Sequence, residues 1–130
     1  MPCRYVIDRE RRLVITTGTD RPTFAEMKAI QDQLESDPDF DPSFNQLIDM
    51  TRVTTLDLSV DEAKVIANRQ HFSTTSRRAF VATGPAIFGM GRLMEAYHSM
   101  AKKAAQVSVF SDREAALEWL GLKTSPPKPL

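Results

Sequence analysis

Three times in this chain a hydroxyl residue is followed three places later by glutamate: Thr23-x-x-Glu26, Ser59-x-x-Glu62 and Ser111-x-x-Glu114. In that spacing the hydroxyl accepts from a backbone N–H of the first helical turn, while the carboxylate reaches back to the N–H of the hydroxyl residue. Two otherwise orphaned donors are satisfied at once, so each motif marks the start of a helix. A β-branched or apolar run precedes each start. The chain is therefore expected to alternate strand and helix, which requires a sheet whose later strands are parallel and covered by helices.

Period changes along the chain fill in the elements. Tyr5-Val6-Ile7 and Leu13 to Thr17 are β-branched runs separated by the charged turn Asp8 to Arg12, which predicts an antiparallel hairpin that Gly18 ends. From Thr23 the apolar positions Phe24, Met27, Ile30 and Leu34 recur at helical spacing until Ser36-Asp37-Pro38. Residues 37 to 43 carry two Asp-Pro steps and read as a turn. A strand through Leu47-Ile48-Asp49, a helix from about Val60 to Phe72, a strand over residues 78–82 and a helix from Pro85 to about Ala104 follow. A strand over residues 107–110 and a last helix to Leu120, capped by Gly121, complete the series. On a helical wheel Met100, Leu93, Tyr97, Met90, Met94 and Ile87 share an arc of roughly 140°, expected to face the core, and Phe88 falls opposite, among Arg92, Glu95 and Ser99. The expected fold is α/β: a mixed sheet with an N-terminal antiparallel hairpin followed by helix-strand alternation with four helices. One domain over residues 1–122 and a disordered Pro-rich tail over 123–130 are expected.

The segment Asp49-Met50-Thr51-Arg52-Val53-Thr54-Thr55-Leu56-Asp57-Leu58-Ser59 resembles the signature of the anti-sigma-factor antagonist (STAS) fold. In that family the second Ser of the closing pair is a phosphorylation switch, and Ser59 falls on that position. Leu58 stands where the first Ser would be, and Val60 where a Gly would be. The linker Asp-Pro-Asp-Phe-Asp-Pro at 37–42 and the helix from Phe88 to Tyr97 are similar to a group of small bacterial SpoIIAA-like proteins, which look related to both STAS and the CRAL-TRIO lipid-transfer fold. The resemblance implies a STAS-like architecture and, more loosely, a regulatory or ligand-binding role. It leaves two readings of Ser59: a helix cap contributing about 1 kcal/mol, or a site of phosphorylation.

Charge and composition narrow the function. Seventeen basic residues balance seventeen acidic ones and no basic cluster stands out, so a nucleic-acid footprint is missing. No apolar run is long enough for a membrane span or an export signal, and the lone Cys3 has no partner for a disulfide, so a cytoplasmic protein is expected. His71 and His98 lack neighbouring Cys or carboxylate ligands at metal spacing, so no metal or cofactor is expected. A triad of Ser59, His71 and Asp57 is ruled out because about three helical turns, roughly 18 Å, separate Ser59 from His71. Asp49 and Asp57 lie near one strand end and could bind Mg²⁺ or act as acid and base, but such residues more often fix loop N–H groups. No catalytic residue is therefore assigned.

A site on such a sheet belongs at the carboxyl ends of the strands. That edge gathers Thr54, Thr55, Asp57, Ser59, Gly84 and Phe88, with Thr19, Asp20 and Ser111 beside them. Two functions follow. The first is a non-enzymatic module that docks another protein, or a second copy of itself, through the loop and helix around Ser59, with Phe88 as an exposed anchor or else tucked under Gly84-Pro85. The second is a carrier of a small apolar or lipid-like ligand in a pocket lined by some of the six methionines and seven phenylalanines. Met and aromatic residues at helical spacing are usually core, which favours the first. A large internal apolar cavity would favour the second.

Overall fold

A computed structural model describes residues 3–69, 72–100 and 106–122, the side chains of 67, 68 and 98–100 excepted. Its elements are β1 (Cys3–Asp8), β2 (Leu13–Asp20), α1 (Phe24–Ser36), β3 (Asn45–Val53), α2 (Val60–Asn68), β4 (Arg77–Val81), α3 (Pro85–Met100), β5 (Gln106–Phe110) and α4 (Arg113–Trp119). The strands form one sheet in the order β1-β2-β3-β4-β5, antiparallel between β1 and β2 and parallel from β2 onward.

That order has a direct consequence. Every crossover steps the same way across the sheet, and crossovers are right-handed, so α1, α2 and α3 must all lie on one face. They do: α1 packs on α2, and α2 on α3. The other face is left to α4, which reaches β3, β4 and β5. Strand alternation divides the core accordingly. Leu13, Leu47, Ala79 and Val81 meet Ala116, Leu117 and Leu120 under α4. Ile48, Met50, Phe80 and Ala82 meet Ile87 under the helix layer, and Val14 meets Leu34 and Phe44 at its β1 end. Among the described residues nothing covers the α4 face over β1, and Val6 there is 59% exposed.

Several local expectations are corrected. Gly18 does not end β2, which runs on to Asp20 through a register shift between Thr17 and Thr19. A Cβ at Gly18 would sit 2.6 Å from Met50 Sδ and 2.9 Å from Val53 Cγ2, so the glycine permits close strand packing. Helix α2 stops at Asn68, not Phe72. Arg69 caps it and turns to α1, where its guanidinium donates to the Lys28 carbonyl at 3.1 Å and pairs with Asp32. The third capping box does not form: Asp112, not Ser111, caps α4 by accepting from the Glu114 N–H. At the other end of α4, Gly121 takes φ 79°, its N–H donating to the Glu118 carbonyl and that of Leu122 to the Leu117 carbonyl, a Schellman closure. The far end of the long helix (101–104), His71 and the tail (123–130) lie outside the described residues, as does the side chain of His98.

The largest correction concerns α3. Its buried face carries Ile87 and Gly91, with Met94 and Phe88 half-buried beside them, while Leu93 is 37% exposed. Counted at about 100° per residue, the helix is turned by roughly 90° from the apolar arc expected on it. Gly91 explains the turn. A Cβ there would stand 2.6 Å from Phe80 Cδ1 and 2.8 Å from Cε1, so the bare backbone of α3 rests on the Phe80 ring. The stripe of Met90, Leu93 and Tyr97 is thereby swung away from the sheet, toward α2. Gly91→Ala should consequently lower stability by about 1–3 kcal/mol through overpacking, despite alanine's better helix propensity. Urea denaturation would show it, and Phe80→Leu in the same chain should recover part of the loss.

Candidate functional site

The site at the carboxyl edge of the sheet is organised by one carbonyl. Asp20 adopts φ 56°, a left-handed conformation that Asp tolerates, and turns its C=O toward the loop after β3. There it accepts from the Thr54 N–H at 2.8 Å, the Thr54 hydroxyl at 3.0 Å and the Thr55 N–H at 3.2 Å. A parallel bridge between Thr23 and Asp57 continues the join. The starts of α1 and α2 are thus held side by side.

Both starts are complete capping boxes. The Thr23 hydroxyl accepts from the Glu26 N–H at 3.2 Å while the Thr23 N–H donates to Glu26 Oε1 at 3.1 Å. Ser59 repeats the arrangement with Glu62, both bonds being 3.0 Å. The Ser59 hydroxyl is therefore an acceptor in the first turn of α2 and is exposed. Asp61 and Glu62 follow it, where the helix dipole favours carboxylates.

Thr54, Thr55, Asp57 and Ser59 are accordingly brought together, all exposed. Gly84 lies just before α3 and Phe88 in its first turn, where the Phe88 N–H donates to the Gly84 carbonyl at 2.9 Å. Phe88 is half-buried against the cluster containing Met50, Phe80 and Ile87, because the rotation of α3 turns it inward. Ser111 is exposed and not the cap of its helix.

The two carboxylates do not converge. Asp57 is in the loop bridged to Thr23, whereas Asp49 is buried on the α4 face. Asp49 accepts from the Thr51 hydroxyl at 2.6 Å and N–H at 3.0 Å, and from Arg113 Nη1 at 2.7 Å. Burial alone would raise its carboxyl, but the Thr51 bonds and the Arg113 charge outweigh that and hold it below the usual carboxylate range. It ties α4 to β3. Among the described residues no three of His, Cys, Asp and Glu are grouped to hold a metal.

Sequence reasoning missed the interior beneath the helices. Arg78, on β4, is buried, with its Nε–H donating to Gln46 Oε1 at 2.8 Å. Gln46 in turn donates to the Thr16 hydroxyl at 2.8 Å, and the guanidinium lies 5.1 Å from the Phe72 ring centre. Burial lowers its pKa to about 10. An Arg in a strand that otherwise reads as apolar was the available signal. Beside it is a cavity of about 70 Å³ reached by Cys3, Ile30 and Met50. A neighbouring cavity of about 40 Å³ lies between α2 and α3, walled by Leu58, Ala63, Lys64, Met90, Leu93 and Tyr97. Met27, Ile66, Phe80 and Met94 line both.

No family model and no curated protein matches the chain. Among solved structures it is similar to an uncharacterized protein of the DUF3478 family with a SpoIIAA-like fold from Shewanella loihica PV-4. The TM-score is 0.60 at 20% identity, over 91% of this chain and 93% of that one. The fold is SpoIIAA-like. The expected STAS-like sheet, with its hairpin, parallel strands and four helices, is thus found. Among the described residues no helix is long and apolar enough to cross a membrane.

Two measurements check this description. Ser59→Ala should cost about 1 kcal/mol in chemical denaturation, as loss of an N-cap does. For Asp49 the sign follows from its lowered pKa: the native state favours the ionised form, so its contribution is present above about pH 4 and lost as the pH falls through the folded pKa. Asp49→Asn should destabilise at pH 7 and reduce the stability lost between pH 5 and pH 3, read from urea midpoints.

Proposed function

We propose that the chain is a non-enzymatic interaction module of the regulatory, SpoIIAA-like type, which docks another protein through the Thr54–Ser59 loop and the first turn of α2. The observation that carries this reading is Val60, an apolar side chain 53% exposed beside the exposed Ser59. Among the described residues the exposed large apolar side chains are Val6, Val60, Val65 and Leu93, so two belong to α2 and one to its neighbour α3. Leu93 and Leu58 wall the same small cavity, with Lys64 there lying 5.7 Å from the Tyr97 ring centre. Exposed apolar groups next to ordered polar loops are the usual composition of a protein-binding patch.

Ser59 enters this reading as the cap that fixes the patch's first turn. A phosphate on its oxygen would add roughly two negative charges where the dipole favours them but the carboxylates of Asp61 and Glu62 oppose them, so it would change the charge of the docking surface while the opposing effects on the helix start partly cancel. The carrier reading has less support. Cavities of about 70 and 40 Å³ fall well short of the roughly 300 Å³ of a small-molecule site. The separation of Asp49 from Asp57 likewise favours a role without catalysis.

A photo-crosslinking amino acid at position 60, in protein expressed in its own host, should give a discrete heavier adduct. Val65→Asp, at a position of the same patch more exposed than Leu93, should weaken it while leaving the melting temperature nearly unchanged. Adducts identical to those from a crosslinker at exposed Glu118, on the opposite face, would overturn the proposal.

A further inference from the structure

The two edges of the sheet are treated differently. At β5 the outward Val109 N–H donates to Glu95 Oε2 at 2.9 Å, so a side chain of α3 closes that edge. Among the described residues no strand lies beyond β1 and no side chain bonds its outer backbone groups. Every second residue of β1 still turns its N–H and C=O away from β2. An open groove of about 500 Å³ runs along this edge, floored by residues 3–7 and bordered by Ile30, Gln33 and Asp37 of α1 and its C-cap. Unprotected edges of this kind accept another strand.

The sequence of β1 says which strand. We propose that β1 pairs antiparallel with β1 of a second copy, about a two-fold axis through Val6, joining two five-stranded sheets into one. In this register Arg4 faces Asp8 of the other copy twice, by symmetry, Tyr5 faces Ile7, and Val6 meets its own equivalent. Placing Tyr5 or Ile7 on the axis instead sets Val6 against Arg4 or Asp8 and loses the charge match. Arg4, Val6 and Asp8 share the face that α4 leaves open, where Val6 is the most exposed large apolar side chain among the described residues. Pairing covers it between two ion pairs. Asp8 already holds Arg11 Nε–H at 2.8 Å, and its remaining acceptor sites suffice for a second guanidinium.

Sedimentation of the full chain from low to high micromolar concentration tests this. The wild type should move from monomer to dimer, less so at high salt. Arg4→Asp sets Asp against Asp at both contacts and Asp8→Arg sets Arg against Arg, so each alone should weaken self-association about tenfold or more. Mixed in equal amounts, the two should form a heterodimer, because the introduced Asp of one then faces the introduced Arg of the other, and the unaltered Asp8 faces the unaltered Arg4. Melting curves confirm that each variant is folded before mixing; should Asp8→Arg disturb its turn, Val6→Lys replaces it as a second disrupting variant. A wild type that stays monomeric throughout, or a dimer indifferent to these changes, would overturn the proposal.

Discussion

The contact between the Phe80 ring and the bare backbone of Gly91 fixes the rotation of α3, and with it the division between core and surface on the helical face. A helix that presents a glycine to the sheet approaches closely, and its large side chains are forced to the flanks. Ile87 and Met94 are then the residues that fill the core, and Phe88 fills one flank. Met90, Leu93 and Tyr97 occupy the other, against α2, where they leave the small cavity and the partly exposed Leu93. The partial exposure of Leu93 on the α2–α3 surface therefore follows from how α3 seats on the sheet.

A second constraint acts at the strand ends. Parallel strands need their helices to start in register with one another, and here the Asp20 carbonyl sets that register by binding the backbone and hydroxyl of the next loop. Because it collects three donors, neither loop can shift alone. The two capping boxes then fix where α1 and α2 begin, so the Ser59 turn is rigid and exposed together. A surface built this way would lose little conformational entropy on being covered, as the proposed docking requires.

Much of this was legible in the residues. The hairpin, the strand-helix alternation and two capping boxes follow from period and from hydroxyl-glutamate spacing, both local properties. Most of what escaped depends on contacts between distant segments. Nothing near Gly91 says that it meets Phe80, and a wheel that counts glycine as non-apolar turns the helix the wrong way. Ser111 fits the box pattern, yet Asp112 is one residue closer to the helix and accepts a bond as an N-cap equally well. Gly18 looked like a strand end because its role, admitting Met50 and Val53, lies in the neighbouring strand. The loop around Ser59 is legible as a cluster because it is contiguous; Arg78, Gln46 and Thr16 were missed because they come from three strands.

The one-way strand order also decides where the molecule is unfinished. It commits three helices to one face, and α4 follows the last strand, so α4 packs chiefly on β3, β4 and β5, with Leu13 of β2 at its margin. The α4 face at β1 is left open by topology, whatever the sequence of β1. That strand nevertheless carries Arg4 and Asp8 symmetrically about an exposed Val6, a spacing that a merely solvated edge does not require. Topology supplies the open edge and the strand's own sequence supplies its complement, on the side of the sheet remote from α3 and β5. Two copies joined there would keep both Ser59 turns outside the join, since β2 separates β1 from the strand that leads into them.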